Sequence, residues 1–261
     1  FWTRGRMTDT LEVILIGIGT GNPEHLTLQA IRALNRADVV LLPRKGEEKG
    51  DLAALRRSIF ADVVSNPATR MVEFDMPVRD PSIHDYLARV DEWHDAIARA
   101  WQDALSAYSD TRVVALMVWG DPALYDSTLR IAGRLGRPAR ITVIPGIMAP
   151  QALTAAHAIP LNAVGEPFLV TTGRRLREEG WPEGVETLLV MLDGECAFRT
   201  LEPQDVTIWW GAFLGMSNQI VDHGPLAEAG PRIVAARAAA RTEHGWIMDT
   251  YLLRRHSASA P

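Results

Sequence analysis

Short apolar runs rich in β-branched residues, separated by stretches of helical periodicity, constrain this chain more than any other feature. They fall at residues 13–16, 39–42, 113–118, 141–144, 168–171, 188–192 and 206–210. A strand wetted on one face alternates apolar with polar residues. Runs that are apolar almost throughout suit strands covered on both faces, hence a mostly parallel sheet with helices packed on it. The class read from this is α/β, and 261 residues can bury such a core as one large domain or two modest ones.

The intervening stretches carry the helices. Residues 27–37 place Leu28, Ile31 and Leu34 on one side, with Thr27 as N-cap. Residues 82–105 carry Ile83, Tyr86, Leu87, Val90, Trp93, Ile97 and Trp101 at helical spacing, which predicts an amphipathic helix with its tryptophans in the core. The charged stretch RKGEEKGD, 44–51, reads as a solvated loop. No repeat and no Pro/Ser-rich linker marks a boundary. The strand-helix rhythm restarts near residue 148, which divides the chain into 7–148 and 149–258. The opening FWTRGR, 1–6, reads as an appended remnant outside the fold.

Charge narrows the function. The net charge of -5 leaves no basic excess to replace phosphate counterions, so no nucleic-acid partner is expected. The apolar runs are too short to span a bilayer, so no membrane insertion is expected, and no secretory leader is evident. Cys196, the single cysteine, excludes an internal disulfide and any multi-cysteine metal site. No metal is expected, and a reducing cytoplasm fits. In DGECAFRTL, Cys196 reads as an inert residue at a helix start.

Three loops lie at the carboxyl ends of apolar runs, the edge where open α/β sheets collect ligands. The first, LIGIGTGNPEHLT (15–27), fails as a dinucleotide fingerprint. Gly17 and Gly19 fit, but the third glycine position holds Asn22, Gly21 falls one place early, and the helix starts late. It is a glycine turn without a phosphate cradle. The second, WGDPALYDST (119–128), combines a permissive Gly120, an Asp121 before proline, and a Tyr125 expected to begin a helix. The third is PGIMAPQAL (145–153), and TTGRRLREEG (171–180) follows a later run.

This ordered set, over about residues 13–253, resembles the tetrapyrrole methyltransferase family, which methylates uroporphyrinogen and corrin precursors with S-adenosylmethionine. GDPALYDST and HAIPLNAVGEPFLVTTGRRL look most like the branch of the aerobic cobalamin pathway that methylates precorrin-5 at ring carbon 1 with loss of acetate. The resemblance implies two α/β domains with mostly parallel or mixed sheets and an active-site trough between them, and a homodimer. It also implies a folded cofactor held largely by backbone, leaving as S-adenosylhomocysteine. No phosphate has to be cradled, because the cofactor has none. By position the cofactor contacts carry over to Thr20, Trp119, Gly120, Asp121, Tyr125, Met148, Ala149 and Leu192, and also to Ala212 and Gly245. The chain departs from the family pattern in four places: Thr20 stands where proline is usual, Asn22 where aspartate is, Trp119 where glycine is common, and Met148 where a small hydroxyl residue is usual.

Methyl transfer from a sulfonium needs alignment more than acid-base help. Expulsion of an acetyl group needs a base for water and donors for an oxyanion. Asp121 and Tyr125 are the foremost catalytic candidates, with His157 and Glu166 behind them. A substrate ringed with carboxylates calls for guanidinium groups. Arg174, Arg175 and Arg177, with the hydroxyls of Thr171 and Thr172, are the substrate candidates, and Arg44 and Lys45 are secondary ones.

Overall fold

A computed structural model of the protein describes residues 10–44 and 50–256. The expectations for residues 1–6 and for Lys45 lie outside the described residues. The chain divides into two compact units, one holding residues up to Gly19 and Pro23–Ile147, the other Thr20–Asn22 and the residues from Met148 onward. Each is built on its own five-stranded sheet.

The first unit runs β1 (Leu11–Gly17), α1 (Leu28–Arg36), β2 (Val39–Arg44), α2 (Gly50–Val63), β3 (Arg70–Asp75), α3 (Tyr86–Ser106), β4 (Val113–Val118), α4 (Thr128–Ala132) and β5 (Ala139–Ile144). Its sheet is wholly parallel, in the order β3-β2-β4-β1-β5. Successive side chains of a strand point to opposite faces, and here both faces are covered. Val13, Leu15, Leu41, Val114 and Leu116 pack with Ile97 and Trp101 of α3. Ile14, Ile16, Val40, Leu42 and Met117 pack with Leu34 of α1 and Ala53 and Ile59 of α2. That is why these runs are apolar at every position. The chain leaving β1 thus turns to one face of the sheet and the chain leaving its neighbour β4 to the other. Their carboxyl ends form the switch point at which such sheets hold ligands.

The second unit runs α5 (Ala149–His157), β6 (Phe168–Thr172), α6 (Gly173–Glu179), β7 (Thr187–Met191), a 3-10 turn (Ala197–Thr200), β8 (Val206–Ala212), β9 (Ile220–Pro225), α7 (Leu226–His244) and β10 (Asp249–Arg255). The order is β6-β7-β10-β8-β9. Only β6 and β7 are parallel, because β10 runs antiparallel to β7 and β8, and β8 antiparallel to β9. The expectation of mostly parallel or mixed sheets therefore holds, the first sheet being parallel and the second mixed. The strands it omits are β3, β9 and β10. In β3 and β9, edge strands, the side chains alternate between more and less buried, which dilutes the apolar signal. The apolar centre of β10, Tyr251–Leu253, sits between charged residues.

Other local expectations need correction. Thr27 does cap α1, its hydroxyl accepting Ala30 N–H at 3.0 Å. Leu28, however, is 73 % exposed, and the buried stripe is Ala30, Ala33 and Leu34. Helix α3 starts at Tyr86 rather than 82, capped by Asp85. Tyr86 and Leu87 point outward, and the stripe begins at His94 and continues through Ile97, Trp101 and Leu105. The charged stretch 44–51 runs from the last residue of β2 into the start of α2, with 45–49 outside the described residues.

At the amino end of β1, Glu12 pairs with Arg36 at 2.8 Å and Arg140 at 3.0 Å. The Arg36 guanidinium first, and Arg140 after it, hold the Glu12 carboxyl down to about 2 from an ordinary 4.5. A carboxylate depressed on folding stabilises the fold fully above its unfolded value, so this contribution is complete above pH 4.5 and vanishes as pH falls toward 2. Both arginines are more than half exposed, which limits it to about 1 kcal/mol. In urea unfolding, E12Q is expected to be less stable than the wild type by that amount at pH 7 and equal to it near pH 2. A constant difference across that range would contradict the assignment.

Candidate active site

The loops after β1, β4 and β5 meet because these strands are neighbours. Gly19 and Gly120 bridge, Gly120 N–H donating to Gly19 O at 2.8 Å and Gly19 N–H to Gly120 O at 3.2 Å. A Cβ on Gly146 would stand 2.2 Å from Gly120 O and 2.7 Å from the Gly17 carbonyl carbon. These glycines therefore exist because three backbones touch, and no phosphate is needed to explain them. Asp121 locks the junction. Its Oδ2 accepts Gly146 N–H at 2.8 Å and its Oδ1 accepts Ala123 N–H at 2.8 Å. The side chain is buried and both oxygens are engaged, so the structure presents Asp121 as a brace between the second and third loops.

Gly120 adopts φ +63°, and a side chain there would meet nothing within 4 Å. Thr20, one residue past the bridge, buries a hydroxyl with no hydrogen-bond partner. The open cradle at Gly120 fits a ligand held by main-chain atoms, as S-adenosylmethionine would be. Trp119 is half-buried and packs on the cluster formed by α1 and α2. Tyr125 does not begin a helix. It turns the chain at φ +52°, 46 % exposed, and α4 starts only at Thr128, whose N–H donates to Asp126 Oδ1 at 2.6 Å. The proline of GDP and the glycine before it shape a turn rather than a helical start.

In the second unit, Met148 caps α5, its N–H donating to Gln151 Oε1 at 3.1 Å, and Ala149 is the first helical residue. Leu192 follows β7 at φ +53° with its side chain 65 % exposed, a combination that costs about 1 kcal/mol and tends to persist at functional sites. Ala212 is fully buried at the end of β8, and Gly245 closes α7 at φ +72°.

A buried ionic network, which the sequence reading missed, holds the segment after Leu192. Asp193 accepts Tyr251 OH at 2.7 Å and Ala197 N–H at 2.6 Å on one oxygen, and Arg177 at 3.1 Å and Glu195 N–H at 3.0 Å on the other. Arg237 donates to the carbonyls of Asp193 and Gly194 at 2.7 and 3.1 Å and to Asp249 at 2.9 Å. Trp210 Nε1–H also reaches Asp249, at 2.8 Å. Burial pushes the Tyr251 hydroxyl well above the ordinary range, so it stays a donor. These partners come from α6, the segment after β7, the 3-10 turn, β8, α7 and β10, and no spacing motif announces such a set.

The substrate arginines are not equivalent. Thr172 caps α6, accepting Arg175 N–H at 3.4 Å, and Thr171 is buried. Arg175 pairs with Glu179 at 2.8 Å, Arg177 with Asp193 and Glu195, and Arg44 with Asp75 at 2.9 Å. Arg174 is exposed on α6 with no carboxylate at ion-pair distance among the described residues. His157 ends α5, and its Nε2–H donates to Trp210 O at 3.0 Å, with burial lowering its pKa. Glu166 is exposed in a turn. Cys196 is buried at φ +58°, and burial pushes its thiol up, which makes it a poor nucleophile. Among the described residues no helix is long and apolar enough to cross a membrane, and no three His, Cys, Asp or Glu gather as metal ligands.

Comparison with known proteins places these features. The chain is 49 % identical over 249 residues, 94 % of its length and 95 % of the relative's, to the precorrin-6A synthase (deacetylating) of a Sinorhizobium species. A Corynebacterium diphtheriae crystal structure described as a cobalamin synthesis related protein (CobF) superposes with a TM-score of 0.81 at 39 % identity, covering 95 % of this chain and all of the other. The fold is shared with the Thermus thermophilus uroporphyrin-III C-methyltransferase complexed with S-adenosylhomocysteine, at TM-score 0.54 and 20 % identity, over 93 % of this chain and 92 % of that one. The model of the tetrapyrrole (corrin/porphyrin) methylases matches residues 12–230. With parallel strand ends, glycine-packed loops and relatives all pointing one way, the chain belongs to the tetrapyrrole methylase family.

Proposed function

We propose that this chain is the S-adenosylmethionine-dependent methyltransferase that converts precorrin-5 to precorrin-6A, methylating ring carbon 1 and releasing acetate, as a cytoplasmic homodimer. The observation that carries the reading is the near end-to-end match with the precorrin-6A synthase. Localisation rests on the single cysteine, and dimerisation on the family resemblance.

Bound S-adenosylmethionine supplies an electrophilic methyl on a sulfonium whose leaving group is neutral. The chain's task in that step is alignment and exclusion of water. Holding the ring carbon about 3–3.5 Å from the methyl, in line with the breaking bond, contributes several kcal/mol. Loops packed backbone to backbone at Gly17, Gly120 and Gly146 and locked by Asp121 give the rigidity this requires. Loss of the acetyl group adds water to its carbonyl and breaks the bond to the ring, whose electron pair the macrocycle takes up, while acetic acid leaves. With Asp121 engaged as a brace, Tyr125 is the better placed of the two catalytic candidates, its phenol suited to donate to the developing oxyanion. Arg174, with Thr171 and Thr172 behind it, serves the substrate carboxylates.

Incubation with precorrin-5 and methyl-labelled S-adenosylmethionine tests this. The expected product carries the labelled methyl, lacks the acetyl and appears with one equivalent of acetate. A methylated product that keeps its acetyl assigns the chain to another reaction of the family, and failure to consume the methyl donor with any tetrapyrrole refutes the reading.

A further inference from the structure

We infer that Arg56 of α2 is a carboxylate anchor at the carboxyl end of the first sheet, receiving either an acidic side chain of the tetrapyrrole or the α-carboxylate of the methyl donor. The inference rests on the function proposed above. No sequence motif singles out Arg56.

Strand β2 stays paired with β4 only as far as Leu41 beside Leu116, while β1 follows β4 on to Val118 and β2 follows β3 on to Asp75. Just past that divergence, Arg56 Nε–H donates to Met117 O at 3.0 Å, and Nη1 reaches Leu52 O at 3.3 Å. Both acceptors are carbonyls. Among the described residues no carboxylate lies within 4.0 Å of the guanidinium and Nη2 has no protein acceptor, although the charge of Asp126 in the second loop is felt at longer range. Two guanidinium groups of the second unit, those of Arg237 and Arg177, are matched by the carboxylates of Asp249 and Asp193. Burial pushes the pKa of Arg56 down to about 10, which still leaves it cationic at neutral pH.

A cation drawn partly out of water without a counter-charge is stabilised when an anionic ligand completes it. A neutral donor would serve the Met117 carbonyl equally well, so the charge itself needs an explanation. Its position supplies one. Met117 precedes the Trp119–Gly120 turn by two residues, and Asp126 belongs to the same loop, so the guanidinium lies beside the loop that carries the first unit's candidate cofactor contacts. An anionic group there would find the unengaged Nη2–H donors of a planar guanidinium.

R56Q keeps a donor for Met117 O and removes the charge, and R56K keeps the charge and removes the fork. Binding is read with two stable probes, S-adenosylhomocysteine by calorimetry and the carboxylate-rich uroporphyrin III by fluorescence quenching, with thermal unfolding as the check on folding. R56Q is expected to weaken one probe about 10- to 100-fold and leave the other unchanged, with R56K in between. Loss confined to S-adenosylhomocysteine identifies the donor's carboxylate, and loss confined to uroporphyrin III identifies the macrocycle's acidic side chains. Folded R56Q that binds both like the wild type overturns the anchor. If R56Q does not fold, R56K binding both probes undiminished does the same. Wild-type protein that binds neither probe refutes the methyltransferase reading itself, a failure distinct from loss of the anchor alone.

Discussion

Gly146→Ala is expected to destabilise the first unit by about 3 kcal/mol, lowering its thermal midpoint by about 10 °C, and to abolish measurable binding of S-adenosylhomocysteine. The added methyl would sit 2.2 Å from Gly120 O and 2.7 Å from the Gly17 carbonyl carbon. Both are backbone atoms of strand ends and cannot swing aside as the tip of a lysine would. Relief must come from parting the loops after β1, β4 and β5, which breaks the Gly19–Gly120 bridge and draws Gly146 N–H away from Asp121. Gly133→Ala is the control. Gly133 has φ -69° and its Cβ would meet a carbonyl at an ordinary 3.5 Å, so its midpoint should stay close to that of the wild type. If both variants melt like the parent, the loops are not packed as described.

The second large effect is expected at Arg237. Replacing it by methionine fills much of the same volume but strands Asp249, whose side chain is 7 % exposed, as an uncompensated buried charge, and leaves the carbonyls of Asp193 and Gly194 without their donor. Removing one partner of a buried pair typically costs about 3–5 kcal/mol, so urea unfolding of R237M should show a loss of that size. The double variant R237M/D249N removes the stranded charge and should regain a substantial part of it. A double variant no better than R237M would mean that the carbonyl contacts, rather than the ion pair, carry the stabilisation.

How much of this was legible in the sequence depended on the range of the interaction concerned. The parallel core strands were, because both faces of β1, β2 and β4 are buried and each position reports it. The glycine loops were legible as turns at the ends of apolar runs, since Gly17, Gly19 and Gly120 directly follow them. What escaped was set by tertiary contact. Leu28 looks like a core residue from its type alone, yet the helix presents Ala30, Ala33 and Leu34 inward. Tyr125 follows a proline that favours helical φ, but the turn ahead of Asp126 takes it to the left-handed region. Arg177, read as one of three equivalent cations for the substrate, is tied to Asp193, sixteen positions along the chain. Asp121 has the residue type of a general base, and only the positions of Gly146 N–H and Ala123 N–H show what its oxygens hold.

The place of β10 has a consequence for biosynthesis. This strand comes last among the elements described, yet it lies at the middle of its sheet, joining β7 to β8. On the ribosome the earlier unit can finish folding while the later one is still being translated. Until residues 249–255 emerge, β7 and β8 each keep an open hydrogen-bonding edge, which makes the nascent second half the part of the molecule most dependent on chaperone protection.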